Sequence, residues 1–189
     1  MLRQGDSDKS QREPPVPGAD GGYSFCPLLF YRANSLATHM GDPRFTYTIY
    51  LASTLEQVWD TLTDPKLSPQ YFFGRRIESD WEVGGNITLF RENGDLDVEG
   101  TITAYVPQQR LAYTWTTPDD SYEREEVSEV TFELREVGKA VRVTLTHDNL
   151  IPEDFGTAKD GFRGLNNGWP AILSSLKSLV ETGSGITYQ

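Results

Sequence analysis

The chain has 189 residues, 28 acidic side chains against 17 basic ones, and a formal net charge of −11. Phosphate binding relies on clustered Lys and Arg, so this balance disfavours nucleic acid and anionic membrane surfaces as partners. The length suits one domain with an appendage, and a single cysteine, Cys26, excludes an intrachain disulfide.

No run approaches the ~20 apolar residues of a membrane span, and the first residues lack the basic start and apolar run of a secretion signal. A reducing, cytoplasmic location is therefore expected. Residues 1 to about 22 carry Pro14, Pro15, Pro17 and Gly18 with almost no apolar content, too little to offset the entropy of ordering. From Tyr23 to Met40 the chain is more apolar, yet no period persists. Residues 1–43 are expected to be a disordered or non-native extension, 44–183 the domain, and 184–189 a flexible tail.

Pattern begins at Arg44. Phe45, Tyr47, Ile49 and Leu51 alternate with Thr46, Thr48 and Tyr50, the period of a half-buried strand. Thr54, with Gln57 three residues on, signals a helix start, and Leu55, Val58, Trp59 and Leu62 form its buried face until Asp64-Pro65 stops it. A second short helix is expected from Lys66 to Phe72, ending at Gly74. Strand-like segments follow at 75–81, 86–91, 96–106, 110–116, 127–135 and 140–149, separated by turn chemistry such as Val83-Gly84-Gly85, Glu92-Asn93-Gly94-Asp95 and Val137-Gly138-Lys139. The acidic run Asp119, Asp120, Glu123, Glu125, Glu126, Glu129, diluted only by Arg124, reads as a solvated loop or as a surface for a basic partner. From Gly168 to Gly183, Trp169, Ile172, Leu173, Leu176 and Val180 recur at helical spacing. Pro170 and the glycines at 161, 164 and 168 predict a kink or a late start for this helix.

The fold class is therefore α+β: a seven-stranded curved antiparallel sheet, two short helices after the first strand, and a long terminal helix across the sheet. A gap between such a sheet and helix suits a ligand better than catalytic machinery.

Several short motifs appear in order. They are Trp59-Asp60-Thr61-Leu62-Thr63-Asp64-Pro65, Tyr71-Phe72-Phe73-Gly74, Ser79-Asp80-Trp81-Glu82-Val83-Gly84-Gly85, Leu111-Ala112-Tyr113-Thr114-Trp115, Thr144-Leu145-Thr146-His147 and Gly168-Trp169. Together, over about Arg44 to Gly183, they resemble the bacterial proteins similar to the C-terminal domain of the activator of the heat-shock-protein-90 ATPase, within the START/SRPBCC superfamily. The resemblance implies a helix-grip fold around a hydrophobic cavity. Relatives in that superfamily bind lipids, sterols, polyketides or other hydrophobic molecules, a few catalyse cyclisation or hydrolysis, and the eukaryotic namesake stimulates a chaperone. The namesake's separate N-terminal domain has no counterpart in residues 1–43, which are too short and too polar.

His147 lies in phase with Val141, Val143 and Leu145, so its ring faces the inner surface of the sheet, towards the terminal helix. It reads either as a hydrogen-bonded core residue or as a ligand contact. His39 lies outside the patterned region, and one inward His without Cys cannot make a transition-metal site. Neither a metal nor a cofactor is implied. There is no G-x-S-x-G, Glu125 and Glu126 point to opposite faces, and Gly84-Gly85 is a turn rather than a phosphate cradle.

Aromatic residues are the remaining candidates. Trp81, Phe90, Tyr113, Trp115, Phe132, Phe162 and Trp169, with Phe72 and Phe73, form either a packed core or the walls of a cavity, and Leu173 joins them from the helix. For a cavity, Trp169, Trp115, His147 and Phe73 are the foremost wall residues. Trp59 is assigned to packing. The expected function is non-enzymatic binding of a hydrophobic or aromatic small molecule, lipid, polyketide or flavonoid-like, with His147 or Tyr113 as polar anchor. The alternative is an interaction module that contacts a chaperone or regulator in a stress response. Cyclase or hydrolase activity is least supported, because one acid–base residue alone points inward. A monomer or weak dimer is expected.

Overall fold

The computed structural model describes residues 43–157 and 161–188. Apart from Pro43, the expectation for 1–43 therefore concerns residues outside those described. Seven strands form one antiparallel sheet: β1 (Phe45–Leu51), β2 (Arg76–Ser79), β3 (Asn86–Phe90), β4 (Leu96–Val106), β5 (Arg110–Trp115), β6 (Ser128–Val137) and β7 (Ala140–Asp148). Their order is β1-β7-β6-β5-β4-β3-β2, so five of the six pairings join neighbours in sequence and only β1 returns to pair with β7. Short turns between successive strands dictate this meander. Helix α1 (Leu55–Thr63) and the single turn α2 (Ser68–Tyr71) follow β1, and α3 (Leu165–Thr182) closes the chain. The order matches the expectation from periodicity.

Alternation sets the faces. In β7, Val141, Val143, Leu145 and His147 are buried while the residues between them are not, and the register Phe45↔His147 to Leu51↔Val141 carries the same inward face into β1. Helix α3 lies on that face. Trp169, Ile172, Leu173, Leu176, Leu179 and Val180 are its buried stripe, and they merge with Leu89, Ile102 and Val130 of the sheet into one core. A β-bulge between Ile102 and Ala104 interrupts the β4–β5 ladder, a device that bends an antiparallel sheet around its contents.

Helix α1 starts where its cap predicts. The Thr54 hydroxyl accepts the Gln57 amide N–H at 3.2 Å, and the Gln57 side chain donates onward to the Val180 carbonyl, tying α1 to α3. The α3 entrance departs from expectation. The helix begins at Leu165, five residues before Pro170, so the start is early rather than late. Pro170, the sixth residue of the helix, has no N–H to give to the Asn166 carbonyl.

The tail after α3 has no periodic signal, yet it is held. It folds back on the helix: the Ile186 amide donates to Ser175 Oγ at 2.9 Å, Ser178 Oγ donates to the Ser184 carbonyl at 2.8 Å, and Tyr188 Oη donates to the Ala171 carbonyl at 2.7 Å. Gly185 makes this approach possible, since a Cβ there would stand 1.8 Å from the Gln70 carbonyl oxygen of α2. Gly185→Ala is expected to release the tail at a cost of about 1–3 kcal/mol. Limited proteolysis checks this: cleavage confined to the last residues is the expected outcome, and an unchanged tail would refute it.

Among the described residues no helix is long and apolar enough to cross a membrane, and no group of three His, Cys, Asp or Glu is placed to hold a metal ion.

Candidate functional site

A cavity of about 630 Å³ opens between the inner face of the sheet and the N-terminal half of α3. Three elements supply its apolar walls: Phe72 and Phe73 after α2, Trp115 at the end of β5, and Trp169 and Ile172 on α3. The rings interlock. Trp169 lies 5.6 Å from Phe72 and 5.5 Å from Trp115, the latter edge-on, the geometry that the aromatic quadrupole prefers.

His147 is the polar member of this wall and is fully buried. Its Nδ1 accepts the indole N–H of Trp169 at 3.1 Å. Indole can only donate, so Nδ1 carries no proton. Burial pulls the imidazole pKa down to about 4, with Asp154 raising it and Arg124 lowering it by smaller amounts. The ring is neutral at pH 7, its hydrogen therefore on Nε2. That nitrogen has no hydrogen-bond partner among the described residues.

Ion pairs border the aromatic floor on two sides. Asp97, 7 % exposed, receives Arg75 and also Arg91, the latter at 2.6 Å. Burial alone would raise its pKa, but the two guanidinium hydrogen bonds outweigh burial and hold Asp97 below the usual carboxylate range. On the other side, Arg124 from the β5–β6 connection reaches Asp154 through two parallel bonds of 2.8 and 2.7 Å, and Asp120 at 2.9 Å. Asp154 also accepts the Ile151 amide at 2.8 Å. This fork fixes the acidic loop against the 3-10 turn Pro152–Asp154.

Two glycines clasp the segment that leads from this turn into α3. Gly164 has φ +82°, and a Cβ there would lie 1.8 Å from the Gly156 nitrogen. Asn166 brackets the crossing, accepting the Gly156 N–H at 2.7 Å and donating to the Gly156 carbonyl at 3.1 Å. Phe162, on the segment between, meets Phe73 at 5.3 Å and Tyr188 of the folded-back tail at 4.7 Å. Phe73 holds φ +50°, an uncommon backbone for an aromatic residue, at the point where its ring joins that group.

Of the residues singled out by sequence, Trp169, Trp115, His147, Phe73, Phe72 and Phe162 line the cavity together. The others lie elsewhere. Phe132 and Leu173 are core, with Phe132 edge-on to Trp169 at 6.0 Å. Tyr113 is buried behind Trp115, and burial pushes its phenol pKa well above the usual value. Phe90 points outward, because Ile87 and Leu89 take the inner positions of β3, and its ring lies under the Arg76 guanidinium. Trp81, in the turn after β2, packs on Tyr105, which in turn contacts Trp59. Arg75, Asp97, Arg124, Asp154 and Tyr188 were not signalled by sequence. Their pairings span loops and carry no period; the Arg124 amid acidic neighbours was the one available hint.

The fold recurs among solved structures. The chain is similar to an HSP90 activator from Plasmodium falciparum, PFC0360w, at 22% identity and TM-score 0.56, over 72% of this chain and 95% of that one. It is also similar to the Aha1 dimer of Colwellia psychrerythraea, at 22% identity and TM-score 0.59, over 76% and 99% of the two chains. CalU16 from Micromonospora echinospora matches at 20% identity and TM-score 0.55, over 74% and 77%. A search of the curated proteins finds no match. The family model described as Activator of Hsp90 ATPase homolog 1-like protein matches residues 52–181, and the chain belongs to that family.

Proposed function

We propose that this protein binds a hydrophobic or aromatic small molecule in the cavity between sheet and α3. The observation that carries the reading is the 630 Å³ space itself, walled by rings from three separate elements and left unfilled by them. Charged side chains line it as well, among them Arg75, Asp97, Arg124 and Asp154, so it is an open cleft with an aromatic floor rather than a gap in the core. Ser128, a hydroxyl of the wall, donates to the Trp115 carbonyl at 3.0 Å, and the one imidazole is neutral and fixed by Trp169, which favours binding over turnover.

A flat three-ring ligand that buries about 300 Å² of apolar area gains roughly 7 kcal/mol before the cost of lost motion. That gross figure corresponds to roughly 7 µM, and the cost of lost motion moves binding weaker than this, towards the millimolar range. The test is a titration of the labelled full chain with flavone, followed by the four indole N–H resonances. Saturable shifts at Trp115 and Trp169, with Trp59 and Trp81 still, are the expected result. Shifts absent everywhere, or confined to Trp59 and Trp81, would overturn the proposal.

A second reading draws on the acidic β5–β6 connection, where Tyr122 and Val127 are 57 % and 51 % exposed beside Glu123, Glu125 and Glu126. Such a mixed apolar and acidic surface suits a basic protein partner, a chaperone among them. Glu125→Lys would weaken that contact and leave flavone binding unchanged.

A further inference from the structure

Tyr188, in the tail after α3, ties three separate stretches of chain together beside the cavity. Its Oη donates to the Ala171 carbonyl of α3 at 2.7 Å, while its ring lies 5.6 Å from Phe73, after α2, and 4.7 Å from Phe162, on the segment that leads into α3. Phe73 and Phe162 meet each other at 5.3 Å, so the three rings close a triangle. Two of its corners, Phe73 and Phe162, line the cavity.

The corners are not equally supported. Tyr188 is anchored from behind: Ser178 Oγ donates to the Ser184 carbonyl, Ser175 Oγ accepts the Ile186 amide, and Gly185 lets the tail pass against the Gln70 carbonyl. Phe162 is 45 % exposed, its segment is pinned where Gly156 crosses Gly164, and its ring partners among the described residues are Phe73 and Tyr188. Phe73 holds φ +50°, a backbone region that an aromatic residue keeps only when its surroundings hold it there. The best-anchored ring of the three is therefore the one outside the cavity wall.

We propose that the tail after α3 is part of the ligand site: Tyr188 positions Phe162 and Phe73, and so sets in advance the wall against which a flat molecule stacks. The proposal rests on the reading of the cavity as a small-molecule site. Without Tyr188 the ligand would have to order those two rings itself, and the cost of that ordering is subtracted from its affinity.

The experiment titrates flavone into the labelled full chain, Tyr188→Ala and Tyr188→Phe, and records ring-to-ring nuclear Overhauser contacts in each protein before ligand is added. Tyr188→Ala is expected to bind flavone about three- to tenfold more weakly, the scale of one aromatic pair, and to lose the Phe73–Phe162 contact. Tyr188→Phe retains the ring and should bind as the native chain does. Gly185→Ala displaces the tail by another route and should reproduce the alanine variant, so the result does not depend on one substitution. Unchanged flavone affinity in Tyr188→Ala, or weaker binding with the Phe73–Phe162 contact intact, would overturn the inference and leave the small-molecule reading standing. Failure of the native chain to bind flavone would overturn that reading, and the inference with it.

Discussion

Trp169→Ala is expected to cost about 3–5 kcal/mol of stability, the range for emptying a large aromatic position in a core that cannot fully collapse. The residue is 1 % exposed and touches Phe72, Trp115, Phe132 and His147, rings held by four different elements, so no single shift can refill the space. Its loss would also leave His147 Nδ1 without a donor. Urea unfolding followed by circular dichroism measures the effect, and the thermal midpoint should fall by roughly 10 °C. Trp169→Phe separates the two contributions, since it keeps most of the ring and removes the N–H, and should cost about 1–3 kcal/mol. A loss below about 1 kcal/mol for the alanine variant would show that the cavity already dominates this region and that the ring is not its keystone.

Acid should weaken the fold through His147. His147 has an ordinary pKa of 6.5 when unfolded and about 4 when folded. Between these values the unfolded chain holds a proton that the native protein refuses, so stability is complete above pH 6.5, declines as pH falls, and levels off near pH 4. The interval corresponds to about 3 kcal/mol. Asp97 and Asp154, both held below 3.8, add their own losses only below that window. The check is a series of urea midpoints from pH 7.5 to 4 on the native protein and on His147→Phe. A variant whose pH slope matches the native one would refute the assignment.

Strand and helix positions were legible because period is a local property. Alternation in β7 placed His147 inward, and helical spacing in α3 exposed the buried stripe beginning at Trp169. What failed was local too. Phe90 has the aromatic character of a cavity residue, but Ile87 and Leu89 already claim the inner face of β3. The Arg124–Asp154 fork joins residues thirty apart through two irregular connections, so no spacing rule could find it. The tail from Gly183 to Tyr188 is held by side chain to backbone bonds on α3 and one tight glycine contact, and composition alone says nothing of such partners. The His147–Trp169 bond lies between these cases: strand and helix period place each residue on an inner face, but their pairing depends on how α3 lies on the sheet.

The glycine crossing at 156 and 164 has an evolutionary reach. By joining the two ends of the intervening segment directly, backbone against backbone and bracketed by Asn166, it makes the anchoring of α3 independent of how many residues lie between. Descendants could lengthen, shorten or recolour that stretch, Phe162 included, without disturbing the helix register that positions Trp169. The rim of the cavity can thus diverge quickly while its floor stays put, a division that lets one scaffold be retuned for new guests by insertion rather than by rebuilding.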